Sequence, residues 1–159
     1  MKISVWICVL MLAGSSALAR GVETGALEEA KRIGEAHERA FFLFSTTVGQ
    51  YIVRHDGMGE VSINARRRVF TLKLGKGRLE QVYFSEYQGD VVLVYKVSSG
   101  MGYVLRMNQR TRKTRWLTTI EESKVGPCAI EANEVRCGPA DDVTKIDLNT
   151  GAQREPLTN

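Results

Sequence analysis

Val104-Leu-Arg-Met-Asn-Gln-Arg-Thr-Arg-Lys-Thr-Arg115 and Val143-Thr-Lys-Ile-Asp-Leu-Asn-Thr-Gly-Ala-Gln-Arg154 align at an offset of 39 residues. In each, an alternating strand runs into a polar turn and a second strand returns, which is the pattern of an antiparallel hairpin. A further stretch, Val69-Phe-Thr-Leu-Lys-Leu-Gly-Lys-Gly-Arg78, matches the first at an offset of 35, so three hairpins of one shape are expected. A period near 40 built from short strands is the sequence mark of propeller blades. Three units fall short of the roughly four to eight blades of a closed propeller. The chain therefore reads as a compact array of three small antiparallel sheets or as a partial propeller completed by another chain. A plain β-meander with look-alike hairpins is the other arrangement that fits.

Outward from these hairpins, residues 41–159 keep the same texture. Short runs rich in Val, Ile, Phe, Tyr and Thr are broken by Gly, Asn, Asp and Ser every eight to twelve residues. Twelve strands are predicted: Phe41 to Thr47, Gln50 to His55, Val61 to Asn64, Arg68 to Leu74, Leu79 to Tyr87, Asp90 to Val97, Gly102 to Asn108, Thr114 to Ile120, Cys128 to Glu131, Glu134 to Cys137, Val143 to Leu148 and Gln153 to Leu157. Pro127 and Pro139 stand at strand ends, where a missing N–H is tolerated. Residues 24–40 read instead as a short N-terminal helix. Thr24 is its cap, Glu28 and Glu29 lie in its first turns, and Leu27, Ala30, Ile33, Gly34, His37 and Phe41 recur at near-helical spacing. The fold class expected is all-β, with three propeller-like antiparallel units following that helix.

The 159 residues hold 22 Lys+Arg, 18 Asp+Glu and 43% hydrophobic residues, an ordinary globular composition that excludes disordered, collagenous and multi-span membrane classes. Lys2, the apolar run Ile3 to Leu12, and Ala17-Leu-Ala19 read as a secretory signal over residues 1–19. The run is shorter than the roughly 20 residues a membrane span needs, and no Cys follows the cut to carry a lipid. A periplasmic protein without membrane insertion is expected, as one β-rich domain over residues 20–159. Removing the signal leaves 21 basic against 18 acidic residues and two of the three cysteines. So small an excess argues weakly for a nucleic acid or other polyanion.

Few residues carry chemistry. His37 and His55 are the two histidines of the chain. His55 and Asp56 are neighbours on a strand and point to opposite faces, so they are poorly placed to cooperate as a catalytic pair. His37 lies among Glu35, Glu38 and Arg39 as a solvated side chain. No set of three or four ligands suggests zinc, and no phosphate loop or nucleophile elbow occurs, so neither a metal, a cofactor nor an enzyme is expected. Cys128 and Cys137 flank eight residues that read as strand, turn at Ala132-Asn133, and strand. Their side chains can face each other across the hairpin as a disulfide staple; a redox pair would favour the C-x-x-C spacing. The basic runs Arg66-Arg-Arg68 and Arg110-Thr-Arg-Lys-Thr-Arg115 read as solvated turns, with Trp116 in a blade core rather than stacked on a base.

Val91-Val-Leu-Val-Tyr-Lys-Val97 leads to Ser98-Ser-Gly-Met-Gly102 and returns through Tyr103-Val-Leu-Arg106. This is an apolar hairpin with a small glycine- and serine-rich tip that can enter a narrow cleft. The signal, the three units, the run Val92-Leu-Val-Tyr-Lys-Val-Ser-Ser-Gly-Met101, the strand Tyr103 to Asn108 and the cysteine-stapled last unit resemble the periplasmic immunity proteins that neutralise peptidoglycan amidases of type VI secretion. The resemblance covers about residues 90–150. In that family a serine-bearing loop between two strands enters the amidase cleft and occludes its Cys-His pair. The resemblance implies that Ser98 and Ser99, with Gly100, Met101 and Tyr103, form the inhibitory loop, and that the partner is a cognate amidase effector. The alternative is a propeller-like scaffold or binding module of an envelope assembly, recruiting a chain through an open sheet edge.

Overall fold

A computed structural model describes residues 26–154, apart from 37–38, 47–48, 66–67 and 86–88. The strands are β1 Glu28–Glu29, β2 Lys31–Ala36, β3 Arg39–Thr46, β4 Gly49–His55, β5 Glu60–Ala65, β6 Arg68–Lys73, β7 Gly77–Phe84, β8 Asp90–Val97, β9 Met101–Asn108, β10 Lys113–Glu121, β11 Cys128–Glu131, β12 Glu134–Cys137, β13 Thr144–Asp147 and β14 Gln153–Arg154. The only helical turn among the described residues is a 3-10 turn, Glu122–Lys124. The chain is all-β, and β3 to β14 correspond in order to the twelve expected strands.

The strands form three antiparallel sheets: a first sheet in the order β2-β3-β4-β5-β6, a central sheet β1-β7-β8-β9-β10 and a third sheet β11-β12-β13-β14. Alternation explains how they stack. Val91, Leu93 and Tyr95 of β8 pack with Phe42, Phe44, Tyr51, Val53 and Ile63 of the first sheet. Val92 and Val94, on the other face of the same strand, pack with Val135, Ile146 and Leu148 of the third sheet. The central sheet is thus covered on both faces. A doubly covered strand has no polar side, which is why Val91 to Tyr95 is an unbroken buried apolar run.

The N-terminal helix is a correction. Over the part of residues 24–40 that is described, the chain forms β1, β2 and the start of β3; Thr24 and His37 lie outside the described residues. Alanine, glutamate and arginine favour helix here by propensity, but tertiary pairing prevails. Glu28 and Glu29 pair with Phe84 and Tyr83, and the Ala30 N–H donates to the Val82 carbonyl at 2.8 Å. Ala30 is thereby buried in the core and Arg32 lies over the Phe42 ring, 5.7 Å from its centroid. Gly34 sits just after an irregularity in the β2–β3 ladder.

The repeat also needs one correction. The two longer matches are structural equivalents. Asn108 Oδ1 accepts from the N–H groups of Arg110 and Thr111, and Asp147 Oδ1 accepts from those of Asn149 and Thr150. Both turns then pass through a left-handed residue, Arg112 at φ 58° and Gly151 at φ 76°. Val69 to Arg78 is different, since β6 closes the first sheet and β7 opens into the central one, so this stretch is a crossover and no hairpin. Its apolar-polar alternation is that of any strand, and sequence similarity alone does not distinguish return from transfer.

Candidate functional site

β8 and β9 form a hairpin in register from Asp90 opposite Asn108 to Val97 opposite Met101. Its turn is Ser98 to Gly100, all exposed, with Gly100 at φ 88°. The Ser98 N–H donates to the Lys76 carbonyl at 3.0 Å and the Gly100 N–H to Val97 at 3.3 Å, so the tip is anchored to the β6–β7 crossover. Met101 is 41% exposed, Tyr103 packs partly against the core, and Gly102 is buried where a Cβ would meet Val125. The expected site residues Ser98, Ser99, Gly100 and Met101 are thus exposed together at the tip, and Tyr103, two residues on, is partly packed against the core.

A groove of about 480 Å³ lies beside the tip, bordered by Glu35, Lys76, Arg78, Lys96, Ser98 and Glu122. Its charges pair across it: Arg78 reaches Glu35 at 3.1 Å, and Lys96 Nζ lies 2.8 Å from Glu122. These partners are substantially exposed, so the pairs orient side chains more than they stabilise the fold. Sequence reading passed over the groove because its residues come from β2, β7, β8 and the turn after β10, which are distant in the chain.

Behind the groove, Tyr95 donates its hydroxyl proton to the Gly75 carbonyl at 2.6 Å. The contact between Tyr95 Oη and His55 Nε2, 3.1 Å, is then one in which the ring N–H donates. Burial, with Asp56 nearby, pushes the Tyr95 hydroxyl up to about 12. Asp56 itself projects into the β4–β5 loop. Its slight burial acts upward, but N–H donors from Glu60 and Met58 together with His55 bring its carboxyl below the ordinary value. His55 and Asp56 thus diverge, as their adjacency predicts. Among the described residues no three of His, Cys, Asp and Glu gather as a metal site.

The other charged cluster is internal. Asp90 is fully buried, bonded to Arg106 and to Asn108 Nδ2 at 2.8 Å, with Arg115 Nε at 3.3 Å. Arg106 continues to the Leu148 carbonyl at 2.8 Å, and Trp116 Nε1 donates to the same oxygen at 2.9 Å. These bonds join the central sheet to the third, a structural task that uses the expected burial of Trp116. Arg115 enters this cluster while Arg110, Arg112 and Lys113 stay exposed at the β9–β10 turn, at the opposite end of the hairpin from Ser98. Arg66 and Arg67 lie outside the described residues.

Cys128 and Cys137 form a disulfide directly across the β11–β12 pair, as the hairpin reading predicts. The Tyr83 hydroxyl and Gln81 Nε2 both donate to the Cys128 carbonyl, and the Cys128 N–H donates to Gln81 Oε1 at 2.6 Å. Burial and then the Glu29 charge push the Tyr83 hydroxyl up to about 12, so it remains a donor throughout the neutral range. No helix among the described residues is long and apolar enough to cross a membrane. No protein-family model, curated protein or solved structure matches the chain.

Proposed function

We propose that this protein is an exported, non-enzymatic inhibitor that occludes the active-site cleft of a secreted peptidoglycan amidase, in the manner of a type VI immunity protein. The observation that carries the reading is the Ser98–Met101 tip: four exposed residues at the end of a hairpin whose strands are buried almost along their length. A rigid stem with a small tip enters a cleft at little ordering cost. Ser98 and Ser99 supply hydroxyls, Gly100 brings backbone close to the target, and Met101 supplies adaptable apolar contact. Residues 1–19 act as the export signal, and the disulfide suits an oxidising periplasm. The three stacked sheets are read as blades of a partial propeller.

The test is the double variant Ser99→Glu with Met101→Glu, assayed for inhibition of any secreted peptidoglycan amidase encoded next to this gene. Both side chains are exposed, so thermal stability stays near wild type while inhibition is lost. Undiminished inhibition by the folded variant rejects the tip. A second reading, a propeller-like scaffold of an envelope assembly, is favoured by β10, a nine-residue strand at the edge of the central sheet. An outer-membrane assembly operon around the gene, rather than an amidase, would support that reading.

A further inference from the structure

The outer face of the first sheet carries apolar and cationic side chains together. Phe42, Phe44, Tyr51, Val53, Val61 and Ile63 point toward the central sheet, so the residues between them point away. Leu43, Ile52 and Val69 fall in one outward row, with Phe41 and Arg54 paired in the next. Val69 is 59% exposed, and Ile33 on β2 is 50% exposed. Around and between these apolar groups stand Lys31, Arg39, Arg54 and Lys73, all exposed, against the carboxylates of Asp56 and Glu60. None of the four cations makes an ion pair with a described residue.

Charge decides what fits this face. A second copy docking through it would set cations against cations. Stacking it on the outer face of the third sheet offers no free carboxylates, because Glu131, Glu134 and Asp147 there are held by Arg136 and Arg154. An acidic protein surface satisfies the sign, but lysine is depleted from protein interfaces, and Lys31 and Lys73 flank this face on β2 and β6. A sheet face with cations on four strands and apolar groups among them matches a two-dimensional field of anionic headgroups. There each cation strengthens binding about fivefold, and the apolar groups reach the headgroup–acyl boundary. We propose that the outer face of the first sheet docks the protein on an anionic bilayer surface. This docking is independent of the Ser98–Met101 tip and leaves that hairpin, on the central sheet, for its own partner.

The test is co-sedimentation of the folded chain from Arg20 onward with vesicles of phosphatidylcholine, alone or mixed with phosphatidylglycerol. The described fold begins at residue 26, so removing residues 1–19 takes away the hydrophobic leader and leaves the sheets whole. Binding to the mixed vesicles, weakened by salt and absent from neutral ones, is expected. The triple variant Lys31→Glu, Arg54→Glu, Lys73→Glu lowers it by about 100-fold or more, whereas Lys145→Glu on the third sheet leaves it unchanged. Should the triple variant fail to fold, Arg54→Ala alone gives about a fivefold loss. Equal partition onto neutral vesicles, or full binding by a folded charge-reversed variant, overturns the proposal. Capture by immobilised polyglutamate without vesicle binding overturns it too and assigns the face to an acidic protein. The Ser99→Glu, Met101→Glu variant binds vesicles like wild type, so failure of the amidase reading and failure of this one are separate results.

Discussion

The first and third sheets each lean one face on the central sheet, yet different forces hold them there. The first has five strands of six to eight residues and contributes a block of aromatic and aliphatic side chains from Phe42 to Ile63. Each such buried side chain stabilises by about 1.5–3 kcal/mol. The third sheet has strands of four residues or fewer, and besides its cysteines its fully inward apolar groups are Val135, Ile146 and Leu148. Directed bonds supplement that small core: the disulfide, the Gln81 and Tyr83 clasp on Cys128, and the Arg106 and Trp116 bonds to Leu148. A sheet too short to be held by burial alone is held by groups of fixed geometry. On its outer face Arg136 and Arg154 pair with Glu131, Glu134 and Asp147, while on the first sheet Lys31, Arg39, Arg54 and Lys73 pair with no carboxylate among the described residues.

This contrast predicts where the molecule is fragile. The largest effect is expected from Asp90→Ala, which strips the buried Arg106 guanidinium of its carboxylate partner and costs about 3–5 kcal/mol in urea unfolding. A cost under 1 kcal/mol would mean that the directed bonds matter little to the attachment of the third sheet. Replacing both Cys128 and Cys137 by Ser should cost about 2–3 kcal/mol. Amide exchange should accelerate across residues 128–154 and stay slow in β3 to β5; uniform acceleration would erase the distinction between the sheets.

The equivalent turns give a smaller contrast. Arg112 occupies the left-handed position that Gly151 fills without strain, so Arg112→Gly should raise stability by about 0.5–1 kcal/mol. A loss instead would show that the arginine side chain outweighs its backbone strain. The smallest effect belongs to the ion pairs on the third sheet. Arg154 is 54% exposed where it meets Glu134 and Asp147, so Glu134→Gln should change stability by no more than about 0.5 kcal/mol, vanishing in high salt. Asp147 reports on the same corner. The N–H of Thr150 first, then its hydroxyl and Arg154, hold the carboxyl below its ordinary 3.8 against the opposing effect of desolvation. Its folded pKa is the lower one, so its contribution is present above the unfolded pKa and fades as pH falls through the folded value. An NMR titration midpoint at or above 3.8 would contradict the turn geometry.

Much of the strand order was legible because alternation and turn chemistry are local. Asp147-Leu-Asn-Thr-Gly151 announces its turn through an acceptor at the start and a glycine at the left-handed position, and Cys128 and Cys137 announce theirs through equal spacing around Ala132-Asn133. The tip Ser98 to Met101 was legible for the same reason. Residues 28–36 were not, because Glu, Ala, Lys and Arg read as helix until β3 and β7 offer edges to pair with. Nor was Asp90. A carboxylate at the head of a valine run looks like a strand end, and only the approach of Arg106 from the neighbouring strand makes its burial tolerable.

By itself the sequence determined an all-β chain, twelve of its strands, the disulfide hairpin and a small exposed tip, since each depends on contacts or dihedral preferences within about ten residues. The tertiary structure decided which sheet each strand joins, that the N-terminal segment pairs as strand, that β8 is buried on both faces, and which charges pair among the described residues. Those outcomes depend on which faces are covered by elements far away in the chain. Coverage sets whether a charge is solvated, paired or buried, and no local pattern encodes it.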